Sequence, residues 1–249
     1  MRSLFTIALF IAASVSATPD FGGMIKGALR RFSHSHKVNA AQDWPKVHFP
    51  DNFNIQCIVN QWDEGTKSLV QYKNMSMSQS IDSDGNRELV HMLSDIDGLG
   101  YVDVQTYADF NTNIIHQKIE SIGVCQKTPS PFPIPSLREF MHKVQDPQGG
   151  ITQYLGVVTQ PWAKHDLHAF ELTMDLPNVG TKSEVLYFCT ETLDVKFITV
   201  PEYANWVISV PSLTERKFTD ADFQNVECQD SQAASPFFKF SSAKRGMFF

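Results

Sequence analysis

Apolar and polar residues alternate with a period of two over most of the chain after residue 52, as in strands with one buried and one solvated face. The clearest run spans residues 101–110, and its apolar side consists of Val102, Val104, Thr106, Ala108 and Phe110. Similar runs occur at 53–59 and 168–176. Turn sequences such as Asp84-Gly85 separate the runs at intervals typical of hairpins. The pattern predicts a mainly β, antiparallel meander.

One segment, residues 136–145, changes to the period of a helix. Ser136 and Glu139 have the spacing of a capping box, and prolines precede them. The apolar positions that follow lie on one helical face: Leu137, Phe140, Met141 and Val144. We predict one helix that covers the apolar side of the sheet.

The two ends of the chain differ from its middle. Residues 1–17 read as a secretory signal peptide, because an apolar run of about ten residues, too short to span a bilayer, precedes the small residues Val15-Ser16-Ala17. We expect a basic, partly mobile leader at 18–50 that can contact a membrane surface, a single β domain at 51–230, and a basic Phe-rich tail at 231–249. Export predicts an extracellular protein.

Charge disfavours a nucleic-acid partner. The chain has 21 Lys and Arg against 27 Asp and Glu, a formal net charge of −6. A globally basic surface is therefore missing, and with it the main source of affinity for a phosphate backbone.

The four cysteines are even in number in a chain predicted to be exported, so two disulfides are expected, with three connectivities possible. Asn74-Met75-Ser76 is a sequon for N-glycosylation.

Candidate metal chemistry is limited to paired carboxylates in turns. Asp82 with Asp84, and Asp95 with Asp97, each stand beside a glycine and can direct several oxygens to one point, as Ca²⁺ requires. They predict weak Ca²⁺ association, although no cofactor is required. Motifs for a nucleophile elbow, a metalloprotease helix or a phosphate-binding loop do not occur, so we predict no enzyme.

Several weak motifs, taken in order, resemble the ependymin-related proteins, secreted proteins with a fold similar to that of bacterial lipoprotein carriers. They run from about Phe53 to Cys228: an early strand with Cys57, the hairpin 81–87, Cys125-Gln126-Lys127, Gln153-Tyr154-Leu155-Gly156 before Trp162, Cys189, and the closing residues 223–228. The resemblance implies curved antiparallel sheets in a half-barrel or open sandwich, a deep hydrophobic pocket and Ca²⁺ association. It also implies the pairings Cys57–Cys189 and Cys125–Cys228.

The resulting hypothesis is a secreted, non-enzymatic protein that binds an apolar, lipid-like ligand between the curved sheet and the helix. The predicted lining residues are Val104, Phe110, Phe140, Tyr154, Trp162 and Phe170. One alternative is an extracellular matrix or adhesion protein that associates with itself, for example as a homodimer. Another is a secreted hydrolase whose site contains His91, His116 or His168.

Overall fold

The computed structural model describes residues 44–96, 100–130, 134–176, 180–201, 203, 205–224 and 226–228. The predicted signal peptide at 1–17, the tail at 231–249, Asp97 and the leader up to residue 43 lie outside the described residues.

The described residues form one antiparallel sheet of eleven strands that is not closed into a barrel. The strands are β1 (Asn52–Asp63), β2 (Ser68–Asp82), β3 (Arg87–Ile96), β4 (Gly100–Asp109), β5 (Ile114–Ile119), β6 (Val124–Pro129), β7 (Thr152–Val158), β8 (Leu167–Leu176), β9 (Gly180–Cys189), β10 (Val195–Thr199) and β11 (Trp206–Glu215). Their order is β6-β5-β4-β3-β2-β1-β11-β10-β9-β8-β7, so two meanders meet where β1 pairs with β11. The predicted mainly β, antiparallel class is confirmed.

The sheet curves around one hydrophobic core. Phe110, directly after β4, and Leu186 of β9 line the same cavity, although six strand spacings, about 29 Å on a flat sheet, separate β4 from β9. Only a curved sheet brings them together. The alternation predicted for 53–59 and 101–110 is confirmed, since Phe53, Ile55, Cys57 and Val59, and the predicted apolar side of β4, are all buried.

The convex face of the sheet carries two smaller clusters. Near β3 and β4, Tyr107 packs against Phe223 and Val226 of the C-terminal segment. At the other end, Tyr187 packs against Trp162, which belongs to the connection between β7 and β8. The sequence pattern predicts that this face of the sheet is solvated, but the two clusters bury part of it.

The predicted helix is confirmed as α1 (Leu137–Gln145), and it lies across the concave face. The hydroxyl of Ser136 accepts a hydrogen bond from the backbone N–H of Glu139 at 3.2 Å, which caps the first turn. The buried residues of α1 are Leu137, Met141 and Val144, and Phe140 is half-buried beside them. None of the helices in the described ranges has the length and apolar character needed to cross a membrane.

Candidate functional site

A small cavity lies between α1 and the concave face of the sheet. Its volume is about 30 Å³, which suits a water molecule but is well below the roughly 300 Å³ of a drug-sized ligand site. Ten of its twelve lining residues are apolar and two are polar: Phe49, Phe53, Gln79, Ile81, Glu88, Phe110, Ile134, Leu137, Phe140, Met141, Val144 and Leu186. A larger ligand therefore enters only if α1 moves away from the sheet.

The two polar lining residues are neighbours on adjacent strands. Gln79 lies on β2, in phase with the buried Met77 and Ile81. Glu88 lies on β3, directly opposite Ile81. The two side chains are 2% and 5% exposed, and the Gln79 amide nitrogen donates a hydrogen bond to Oε1 of Glu88. The Gln79 amide oxygen, also buried, has no hydrogen-bond partner. The polar wall thus has an unused acceptor.

Burial changes the acidity of Glu88. It raises the pKa of the carboxyl from 4.5 to about 7, because the charged form loses its hydration, while the hydrogen bond from Gln79 lowers the pKa in part. A carboxyl in an apolar cavity with this pKa exchanges its proton near neutral pH. Its charge then depends on what else occupies the cavity.

The N-terminal end of α1 is attached to the turn between β2 and β3. Oδ1 of Asn86 accepts a hydrogen bond from the backbone N–H of Leu137 at 2.7 Å. The guanidinium of Arg138 makes ion pairs with Asp84 and, at 3.4 Å, with Asp51. The ion pairs lie at the surface and the hydrogen bond is partly buried, so polar groups hold this end of the helix.

The C-terminal end of α1 is attached to the segment before β1 and to the first residue of β7. Gln145 hydrogen-bonds the backbone of Phe49, and the hydroxyl of Thr152 donates to the carbonyl of Val144 at 2.7 Å. The helix is therefore fixed at both ends while its middle covers the cavity.

The structure brings together only part of the predicted lining set. Phe110 and Phe140 line the cavity. Val104 is buried elsewhere in the same core. Phe170 packs on Tyr154 with ring centres 4.9 Å apart, and neither lines the cavity.

The prediction for Trp162 requires a correction. Trp162 contacts Tyr187 and Phe197, with ring centres 5.1 and 4.8 Å apart, in the cluster on the convex face. Tyr187 alternates with the core residues Leu186 and Phe188, so its side chain points to the opposite side of the sheet. The sheet thus separates Trp162 from the cavity.

One of the two implied disulfides is present. Cys125 of β6 and Cys228 are joined, which ties the C-terminal segment to the edge of the sheet. The backbone N–H of Cys228 also donates to Nδ1 of His116 at 2.9 Å.

The implied pairing of Cys57 with Cys189 is wrong, since both are free. Cys57 faces the concave core from β1, whereas Cys189 lies opposite Leu167, a residue of the convex cluster. Strands β11 and β10 also stand between β1 and β9. The two thiols therefore lie on opposite faces and several strands apart.

The carboxylates proposed for Ca²⁺ already have other partners. Asp82 pairs with Arg87 at 2.7 Å, and Asp84 pairs with Arg138 and accepts from Asn52 at 2.7 Å. Asp95 accepts a hydrogen bond from the Asn74 side chain. Among the described residues, no group of three or more His, Cys, Asp or Glu could hold a metal ion. Calcium association stays a prediction.

The sequon residue Asn74 is exposed where β2 departs from its regular pairing with β1. Its φ of 50° and that of Lys73, 44°, are left-handed, and neither residue takes part in the regular pairing with β1. The position is accessible to a glycan, and glycosylation itself stays a prediction.

The three histidines considered for a hydrolase lie apart from one another. His91 contacts Asp103 at 2.5 Å, His116 accepts from Cys228, and His168 contacts the Tyr154 hydroxyl at 2.8 Å. Burial lowers the pKa of His168. None of the three lines the cavity under α1.

Gln79 and Glu88 are not among the lining residues predicted from the sequence. The signal was their phase: Glu88 alternates with Val90 and Met92, and Gln79 with Met77 and Ile81, all of which are buried. A charged residue in phase with a buried stripe is unusual and points to a functional role.

No family model matches this chain, and no curated protein matches it either.

Proposed function

We propose that this protein is a secreted, non-enzymatic binder of an apolar, lipid-like molecule, which it holds between α1 and the concave face of the sheet. One observation carries the proposal: a cavity with mostly apolar walls lies under a nine-residue helix that is attached by polar contacts at its two ends. The ligand would replace the sheet as the surface that the apolar face of α1 covers.

The energetics favour this arrangement for a chain of about ten carbons. Burial of such a chain contributes about 8 kcal/mol before association costs, at about 0.8 kcal/mol per methylene. Each hydrogen bond that holds the helix ends contributes about 1 kcal/mol net. Release of a few of them is therefore offset by the buried chain.

The helix is also suited to move as a unit. The Ser136 cap belongs to the helix end itself, so it would move together with α1 when some of the outer attachments are released. Arg138, Glu139, His142 and Lys143 are all exposed, and displacement of α1 would leave these charges in water. Apart from the polar contacts that are released, only the apolar face would change its environment.

The test is ligand capture by the full chain, secreted from a eukaryotic host. Native mass spectrometry should show an adduct that organic extraction removes, and the purified protein should raise the fluorescence of N-phenyl-1-naphthylamine, a neutral apolar probe. A protein with no adduct and no probe signal would contradict the proposal. The same spectrum reports whether the protein is a monomer or a homodimer.

A further inference from the structure

The polar end of the cavity includes a buried acceptor without a partner. One N–H of the Gln79 amide donates to Oε1 of Glu88, whereas the Gln79 amide oxygen has no hydrogen-bond partner. An ionised carboxylate is acceptor-only. A ligand group that binds the Gln79 amide oxygen and an ionised Glu88 must therefore donate hydrogen bonds.

We propose that the ligand of this cavity is an amphiphile with a primary ammonium head on an apolar chain, and that Glu88 and Gln79 bind this head. This inference rests on the proposed function. The ammonium supplies three donors: one can reach the Glu88 carboxylate and a second the Gln79 amide oxygen. Its positive charge compensates the negative charge that burial otherwise disfavours.

No other charge in the lining competes for this role. Glu88 is the one titratable residue among the twelve that line the cavity. Across the sheet it faces Ile81 on β2 and Ala108 on β4, and along β3 its in-phase neighbour is Val90. The other buried acid of the concave face is Glu184 on β9, next in phase to Leu186, and it does not line the cavity. The four titratable side chains of α1 are exposed: Arg138, Glu139, His142 and Lys143.

Neutral and anionic heads fit less well. A hydroxyl can donate only one hydrogen bond, so it leaves one acceptor unsatisfied in the cavity. A carboxylate head has no donor and repels the ionised Glu88. The expected order of affinity at pH 8 is therefore amine, then alcohol, then acid.

The experiment uses three ligands with the same ten-carbon chain: decylamine, 1-decanol and decanoic acid. Isothermal titration calorimetry on the full chain at pH 8, below the micelle concentrations, should give decylamine at least tenfold tighter binding than 1-decanol. Equal or tighter binding of the alcohol or the acid overturns the inference and leaves the proposed function standing. Binding of none of the three overturns both.

A second readout separates charge from shape. With a Glu88 pKa of about 7, the ionised fraction falls about thirtyfold from pH 8 to pH 5.5, so the affinity for decylamine should fall by about the same factor. Affinity for 1-decanol should change less than about threefold. A flat pH profile for decylamine overturns the inference.

The variant Glu88→Gln keeps the shape of the side chain and removes its charge. At pH 8 it should lose about tenfold or more in decylamine affinity and stay within about threefold for 1-decanol. Glu139→Gln, an exposed change on α1, is the matched control and should behave as wild type. Equal loss of both ligands in Glu88→Gln would mean that Glu88 only supports the fold, and would overturn the inference.

Discussion

Gln145 holds the backbone of Phe49 by two hydrogen bonds across 96 residues of sequence. Its Oε1 accepts from the Phe49 N–H at 2.8 Å, and its Nε2 donates to the Phe49 carbonyl at 3.3 Å. Phe49 packs in turn on Phe53 and Phe188, with ring centres 5.7 Å away in each case. The end of α1 is thus tied to the core through a segment that precedes the sheet.

Loss of this attachment should speed ligand entry. Gln145→Ala removes both hydrogen bonds, so α1 should open more often, and the association rate of N-phenyl-1-naphthylamine in stopped-flow fluorescence should rise about fivefold. Gln148→Ala changes the same residue type just beyond the helix and should leave the rate unchanged. Identical rates in the two variants and the wild type would show that α1 does not gate the cavity.

The two faces of the sheet should respond differently to the loss of an aromatic side chain. Phe140→Ala should weaken 1-decanol binding about fivefold, because it removes roughly 1 kcal/mol of apolar contact with the ligand. Trp162→Ala should lower the free energy of unfolding by about 3 kcal/mol and change the affinity less than twofold, because Trp162 packs on the convex face. Urea unfolding and calorimetry measure the two quantities. A large loss of affinity in Trp162→Ala would place the ligand on the other face.

Local periodicity sufficed to predict much of the fold. The alternation in β1 and β4 and the 3.6-residue spacing of α1 each report which side of an element is buried, and burial selects apolar residues directly. Phe110 and Phe140 were placed in the lining because each lies in phase with its own buried face and the helix covers that face of the sheet.

Local periodicity does not predict the order of the strands in the sheet. The pairing of β1 with β11 joins segments about 150 residues apart, and no local pattern records it. That pairing places β10 and β11 between Cys57 and Cys189. The contacts of Trp162 with Tyr187 and Phe197 on the convex face also join residues that no local pattern connects. The predicted Cys57–Cys189 pairing and the predicted position of Trp162 are therefore wrong for the same reason: both depend on contacts between distant parts of the chain.

The stability of the fold should decrease with pH through Glu88. The folded state holds the proton more tightly than the unfolded state, since the pKa rises from 4.5 to about 7. This contribution is fully present below pH 4.5 and is lost as the pH passes 7, so it falls by about 2–3 kcal/mol between pH 5 and pH 8.

Glu88→Gln should lack that dependence. Its free energy of unfolding minus that of the wild type, measured in urea without ligand, should increase by about 2–3 kcal/mol from pH 5 to pH 8. For Glu139→Gln the difference should be constant over this range. A constant difference for Glu88→Gln as well would mean that the carboxyl is hydrated in the folded protein.

Counting of thiols decides between one disulfide and two. Burial raises the pKa of the Cys57 thiol strongly, whereas backbone hydrogen bonds from Thr192 and Glu191 lower the pKa of Cys189. The thiolate is the reactive form, so iodoacetamide should modify Cys189 in the folded protein and leave Cys57 unmodified.

Mass spectrometry should find one adduct on the native protein, two after unfolding without reductant, and four after reduction. Cys189→Ser should lose the native adduct and keep the Cys57 adduct on unfolding. Unfolded, unreduced protein that takes up no adduct would contain two disulfides. That result would contradict the structure, in which Cys57 and Cys189 are free and lie on opposite faces of the sheet.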